Sequence, residues 1–128
     1  VNILLVDDEE ELVSTLAERL GFRGIHAEWA TSAKKAIELV QDKHYDVAVL
    51  DVKMPRISGL ELMGILKKKD PELRFIFLTG HGSESDFRHG CERGACFYLI
   101  KPLKLEALVE KLEEAMAGKK QNQGDNLL

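Results

Sequence analysis

With 128 residues, 45% of them hydrophobic and 31% charged, the chain has the length and balance of one folded domain that buries a core without staples. Its formal net charge of -4 leaves no electrostatic footprint for nucleic acid, so control of a gene would need another domain. No apolar run approaches the ~20 residues of a membrane span and no signal sequence is visible, which points to a cytoplasmic protein without a membrane partner.

The chain opens into a strand, Ile3-Leu4-Leu5-Val6, that stops on Asp7-Asp8. After Glu9, Glu10 and Glu11, the apolar residues Leu12, Val13, Leu16, Ala17 and Leu20 recur at helical spacing, with Gly21 as the stop. The glutamate run has a sufficient explanation in the helix dipole, which favours negative charge at an N-terminus. Asp7 and Asp8 do not, because a first turn needs one cap.

Ile25 to Ala30 reads as a weaker strand, followed by Thr31 or Ser32 as the N-cap of a helix with Ala33, Ala36, Ile37 and Val40 on one face. Nothing in this unit suggests chemistry. Trp29 is read as packing, and His26 and His44 as surface or turn residues.

Tyr45-Asp46-Val47-Ala48-Val49-Leu50-Asp51 is apolar without alternation and ends on a carboxylate, the habit of a strand buried on both faces in a parallel sheet. It is the expected central strand, delivering Asp51 to the sheet's edge. Asp ahead of a Pro-containing loop is also common turn chemistry, so Asp51 alone decides nothing.

The loop through Pro55 to Ser58-Gly59 leads into a helix with Leu60, Leu62, Met63, Ile65 and Leu66, closing on Lys67-Lys68-Lys69, where the C-terminal dipole suits positive charge. A fourth strand, Phe75-Ile76-Phe77-Leu78, ends on Thr79; Gly80-His81-Gly82-Ser83 then precedes a polar helix reaching Gly94, with few apolar positions beyond Phe87 and Cys91. A fifth strand, Phe97-Tyr98-Leu99-Ile100, ends on Lys101-Pro102, and the last helix carries Leu105, Leu108, Val109, Leu112 and Met116. Cys91 and Cys96 fit no zinc or redox spacing and read as plain thiols in a reducing compartment. Residues 118–128 are polar and linker-like, so the domain is expected to span 1–117, with the tail leading toward an output domain.

Five strand-helix alternations imply an α/β fold, a doubly wound parallel sheet of order 2-1-3-4-5 with helices on both faces. In that order the strand ends bearing Asp7, Asp8 and Asp51 converge, with Thr79 and Lys101 approaching from the other side. Carboxylates so close repel: either some stay protonated or a divalent cation sits among them, and an all-oxygen site with room for water suits magnesium. Asp51 would then be a nucleophile toward a phosphoryl group, with Lys101 and Thr79 as charge and hydroxyl donor for its oxygens.

The residues Val6-Asp7-Asp8, Leu50-Asp51-Val52-Lys53-Met54-Pro55, Gly59, Leu78-Thr79-Gly80 and Tyr98-Leu99-Ile100-Lys101-Pro102 resemble the receiver domain of bacterial two-component response regulators, over about residues 1–117. The resemblance implies that Asp51 is the phosphoacceptor, that Asp8, Asp51 and the main-chain carbonyl of Lys53 hold Mg2+, and that Asp7 acts through a metal-bound water. It implies that Thr79 and Lys101 read the phosphate, that Lys101-Pro102 is cis, and that Thr79 and Tyr98 form a switch acting on the face of the fourth helix, fifth strand and fifth helix. Lys53 and His81 resemble the pair that tunes phosphate lifetime by flanking the path of attacking water. Arg56 stands where glycine is frequent and Gly80 where alanine is usual.

The implied function is a signalling domain, not an enzyme beyond its own magnesium-dependent phosphorylation and dephosphorylation, with a sensor histidine kinase as donor and an output domain or downstream protein as target, the output being transcription. Homodimerisation on phosphorylation stays open. Three alternatives carry specific objections. A haloacid dehalogenase-type phosphatase wants an Asp two residues after the nucleophile, where Lys53 stands. A flavodoxin-like cofactor binder wants hydroxyls and glycine where Asp7 to Glu11 would repel phosphate. A phosphorylation-independent interaction module has no need of the full set Asp7, Asp8, Asp51, Thr79 and Lys101.

Overall fold

β3 (Val47–Asp51) lies at the centre of the molecule: Val47, Ala48, Val49 and Leu50 are fully buried, and Asp51 at its end is 6% exposed. A computed structural model describes residues 1–80 and 97–127, with β1 (Asn2–Val6), α1 (Glu10–Phe22), β2 (His26–Ala30), α2 (Ala33–Asp42), β3, α3 (Gly59–Lys69), β4 (Arg74–Thr79), β5 (Phe97–Ile100) and a C-terminal helix (Leu105–Leu127). The five strands form one sheet in the order β2-β1-β3-β4-β5, and every neighbouring pair is parallel. This is the flavodoxin-like α/β arrangement expected from the alternation. The polar helix expected to reach Gly94, with Phe87 and Cys91, lies outside the described residues, as do His81 in the loop before it and Cys96 after it.

Strand parity sorts the apolar residues into two cores. Leu4, Val6, Ala48, Leu50 and Phe77 face one side, where Ala36 and Val40 of α2 and Leu62 and Leu66 of α3 cover them. Ile3, Leu5, Val47, Val49, Ile76 and Leu78 face the other, under Val13, Leu16 and Leu20 of α1 and Leu108, Leu112 and Ala115 of the C-terminal helix. A strand such as β3 must therefore be apolar at every position, which is why it shows no alternation.

Two local expectations are corrected. α1 does not stop at Gly21; it runs to Phe22, and the residue that ends it is Gly24, at φ 80°. The Gly24 amide donates to the Gly21 carbonyl at 3.0 Å and the Ile25 amide to the Leu20 carbonyl at 3.0 Å, a closure that needs a left-handed residue. Trp29 does not pack into either core. It sits on the edge strand β2, 36% exposed, lining a shallow hollow with Ala17 and Leu39.

The other caps follow the sequence. Ser32 accepts from the Lys35 amide at the start of α2, and Ser58 and Glu61 form a reciprocal capping box at the start of α3. His26 and His44 are on the surface, with 66% and 61% of their side chains exposed. Among the described residues no helix is long and apolar enough to cross a membrane.

Candidate functional site

The parallel order brings the C-terminal ends of β1, β3, β4 and β5 to one edge. Asp7, one residue beyond β1, is fully buried; its backbone amide donates to the Ala30 carbonyl, and its Oδ1 accepts from the Glu9 amide at 2.9 Å. Its Oδ2 is buried as well and takes no part in that turn. Asp8 is exposed beside it.

Asp51 is seated from both sides. Its pairing with Leu78 in β4 continues in a bond from the Val52 amide to the Leu78 carbonyl at 2.9 Å, and its Oδ1 accepts from the Lys53 amide at 3.2 Å. Beneath it, the first residue of α3 is Gly59, whose amide donates to the Val52 carbonyl at 2.9 Å. A Cβ at Gly59 would overlap the Asp51 carbonyl oxygen and approach its carbon at 3.0 Å. Only glycine lets α3 begin this close to the Asp51 backbone.

Asp7, Asp8 and Asp51 each place a carboxylate oxygen within 4.8 Å of the others. Lys101 Nζ lies among them, 2.7 Å from Asp7 Oδ2 and 3.4 Å from Asp51 Oδ2, with Glu9 Oε1 at 3.2 Å. The contact to Asp7 is the shortest of the three ion pairs that Lys101 makes among the described residues. The Lys101-Pro102 peptide is cis, and the Lys101 amide donates to the Thr79 carbonyl at 2.8 Å.

Burial, followed by the negative charge of Asp7, pushes the Asp51 carboxyl up to about 6, although Lys101 and the Lys53 amide act the other way. For Lys101, burial acts downward, and the contacts with Asp7, Asp51 and Glu9 outweigh it and hold the ammonium above its ordinary value. The edge is therefore short of positive charge: one ammonium serves several carboxylates. An all-oxygen donor set in that condition fits a hard divalent cation. Thr79, fully buried at the end of β4, has a hydroxyl with no hydrogen-bond partner among the described residues.

The site residues expected from sequence thus divide. Asp7, Asp8 and Asp51 bring carboxylate oxygens within 4.8 Å of one another, Lys101 contacts Asp7 and Asp51, and Thr79 ends the strand between those of Asp51 and Lys101. Lys53 reaches Asp51 through its backbone amide, while its side chain is exposed. Tyr98 stands on β5 opposite Phe77, 39% exposed, and His81 lies outside the described residues. Sequence reasoning missed Glu9, which it had assigned wholly to the helix dipole. The available signal was a glutamate at an N-cap, a position that favours shorter side chains.

The family model for the response regulator receiver domain matches residues 3–113. This chain belongs to that family. The receiver is 37% identical over 112 residues to the response regulator MprA of Mycolicibacterium vanbaalenii, an alignment covering 88% of this chain and 48% of that protein. It spans about half the length of the curated relatives it matches. Among solved structures it is similar to NtrX from Brucella abortus, with a TM-score of 0.87 and 29% identity over 98% of this chain and 29% of the other. A response regulator protein from Burkholderia pseudomallei, solved with a phosphorylated aspartic acid, a calcium ion and citrate, is similar with a TM-score of 0.79 and 28% identity over 98% of this chain and 74% of that one.

Proposed function

We propose that this receiver takes a phosphoryl group on Asp51, with Mg2+, from the phosphohistidine of a sensor histidine kinase, and that the modification changes the surface it presents to an output domain. The observation that carries this reading is the meeting of Asp7, Asp8 and Asp51 within 4.8 Å, with Lys101 Nζ 3.4 Å from Asp51 Oδ2. That the Burkholderia pseudomallei relative was solved with a phosphorylated aspartic acid and a calcium ion supports the same chemistry here.

Each residue has a task. Asp51 Oδ attacks phosphorus, and the bond from phosphorus to the donor's nitrogen breaks, leaving an aspartyl phosphate. Asp8, Asp51 and the main-chain carbonyl of Lys53 would hold magnesium, with Asp7 acting through water. When bound, the cation supplies positive charge to the transferring group. Lys101 shifts from the carboxylates toward the phosphoryl oxygens, and the Thr79 hydroxyl, buried without a partner among the described residues, donates to one of them. Tyr98, exposed on β5 in the present structure, then turns inward as Thr79 moves. The resemblance assigns Lys53 and His81, the latter outside the described residues, to setting how long the phosphate lasts.

The relatives are about twice as long as this chain, which leaves room for an output domain, and control of transcription is the output we assign to it. Incubation with acetyl phosphate and magnesium, followed by intact mass, tests the core of the proposal. A magnesium-dependent gain of one phosphoryl group, absent in Asp51→Asn, is expected; a folded wild-type protein that gains nothing would sink it. Lys53→Ala and His81→Ala are expected to change the lifetime of the modified form, read by loss of the added mass with time.

A further inference from the structure

Glu9 occupies the N-cap of α1, where a short polar side chain ordinarily turns back to accept from an amide of the first turn. Its side chain makes no such bond. It reaches across the site, and its Oε1 lies 3.2 Å from Lys101 Nζ, while its own amide is fixed by the bond to Asp7 Oδ1. Three carboxylates therefore divide one ammonium, with Asp7 at 2.7 Å, Glu9 at 3.2 Å and Asp51 at 3.4 Å.

The three are not equivalent. Asp7 and Asp51 are buried and, with Asp8, make up the carboxylate cluster suited to a cation. Glu9 has 65% of its side chain exposed and stands outside that cluster. Its carboxylate is thus available to Lys101 whether or not the others are engaged elsewhere.

We infer that Glu9 is a positioning residue that holds the Lys101 ammonium on the β1 side of the site in the resting domain, and that Lys101 must leave it to meet a phosphoryl group on Asp51. The inference rests on the phosphoacceptor reading of Asp51. Any bond that Lys101 breaks in moving weakens the phosphorylated state relative to the resting one. Loss of the Glu9 charge therefore favours occupancy of the phosphoryl position. Because the Glu9 end of the pair is open to solvent, with 65% of its side chain exposed against 21% for Lys101, the gain is about two- to fivefold.

The test is titration of the magnesium-loaded domain with beryllofluoride, a phosphoryl mimic, in wild type, Glu9→Gln, Lys101→Ala and the double variant. Glu10→Gln makes the same charge change one residue along as a control. The half-saturating concentration is expected to fall about two- to fivefold in Glu9→Gln, to stay unchanged in Glu10→Gln, and to show no Glu9→Gln effect when Lys101 is already alanine. Equal shifts in the two glutamine variants, or a Glu9→Gln effect that persists without Lys101, overturn the inference. A metal-free urea denaturation cycle on the same variants reads the Glu9–Lys101 coupling without any phosphoryl mimic, and zero coupling there also overturns it. If wild type ignores beryllofluoride while the urea cycle shows coupling, the phosphoacceptor reading fails and the hold of Glu9 on Lys101 stands.

Discussion

Glu28, on the edge strand β2, accepts from Lys43 Nζ at 2.7 Å and from the buried Tyr45 hydroxyl at 2.5 Å. Those two hydrogen bonds, Lys43 first, hold its carboxyl below the usual range. Asp51, on the central strand of the same sheet, has the opposite fate: burial and the neighbouring Asp7 push its carboxyl up to about 6. Both carboxylates have a lysine within reach. The difference is how many competitors share it, since Lys43 pairs with Glu28 while Lys101 is divided among Asp7, Glu9 and Asp51. A polar cluster that serves the fold has its charges matched, whereas this strand edge is left wanting positive charge that a ligand can bring.

Neutralising Asp51 should break the contrast most strongly. A carboxyl at about 6 in the folded state, against an ordinary 3.8, binds more protons folded than unfolded between those values. The metal-free domain should thus be most stable below the ordinary value and lose about 3 kcal/mol as pH rises through the folded one. Asp51→Asn is expected to remove that slope in urea titrations across the window and to be more stable than wild type at neutral pH. Magnesium should restore stability to wild type at neutral pH and do little for the variant. A flat wild-type profile would erase the distinction between the two clusters.

Gly59→Ala attacks the seating of Asp51 instead of its charge. The added methyl meets the Asp51 carbonyl, and the expected loss is about 1–3 kcal/mol in thermal or urea unfolding, with slower phosphoryl uptake as Asp51 shifts. Gly64→Ala in the same helix meets nothing within 4 Å and should stabilise by about 0.5–1 kcal/mol. The opposite signs sharpen the assignment of Gly59 to the site.

Tyr45→Phe tests the satisfied cluster. Removing the hydroxyl that donates to Glu28 should cost about 1 kcal/mol. A carboxyl held low contributes stability that is present above its ordinary value of 4.5 and is lost as pH falls through its folded value. The deficit of Tyr45→Phe should therefore be largest at neutral pH and shrink in acid, the reverse of the Asp51 profile. The smallest effect is expected at Arg56, whose φ of 74° lies in the left-handed region. Arg56→Gly should relieve that strain and stabilise by about 0.5 kcal/mol, after the entropy glycine adds to the unfolded chain.

Much of the site was legible because each of its strands ends on a polar residue, and the alternation of strands and helices predicts which ends share an edge. Asp7, Asp8, Asp51, Thr79 and Lys101 could be picked out that way. Glu9 was passed over: its place at an N-cap was a local signal, but the helix dipole gives a glutamate there an adequate reason, and the signal does not name a partner 92 residues away. Trp29, read as packing, lines a hollow with Ala17 and Leu39 while 36% exposed, whereas the next residue of β2, Ala30, is buried in the core; the strand pattern does not tell the two apart. The Arg56 position carried a signal, glycine being frequent there in receivers, and its positive φ is the physical reason.

The sequence by itself determined the number and kind of the elements up to Thr79, the pair after it, most of their boundaries, and which polar residues stand at the strand ends. Those depend on periodicity and on capping, which act over a few residues. The tertiary structure alone decided that Gly24 and not Gly21 ends α1, that α3 begins against the Asp51 backbone, and that one lysine is shared among three carboxylates from two other strand ends. Each of these turns on small differences in the spacing of groups brought together by register and packing, and local pattern does not encode differences of that kind.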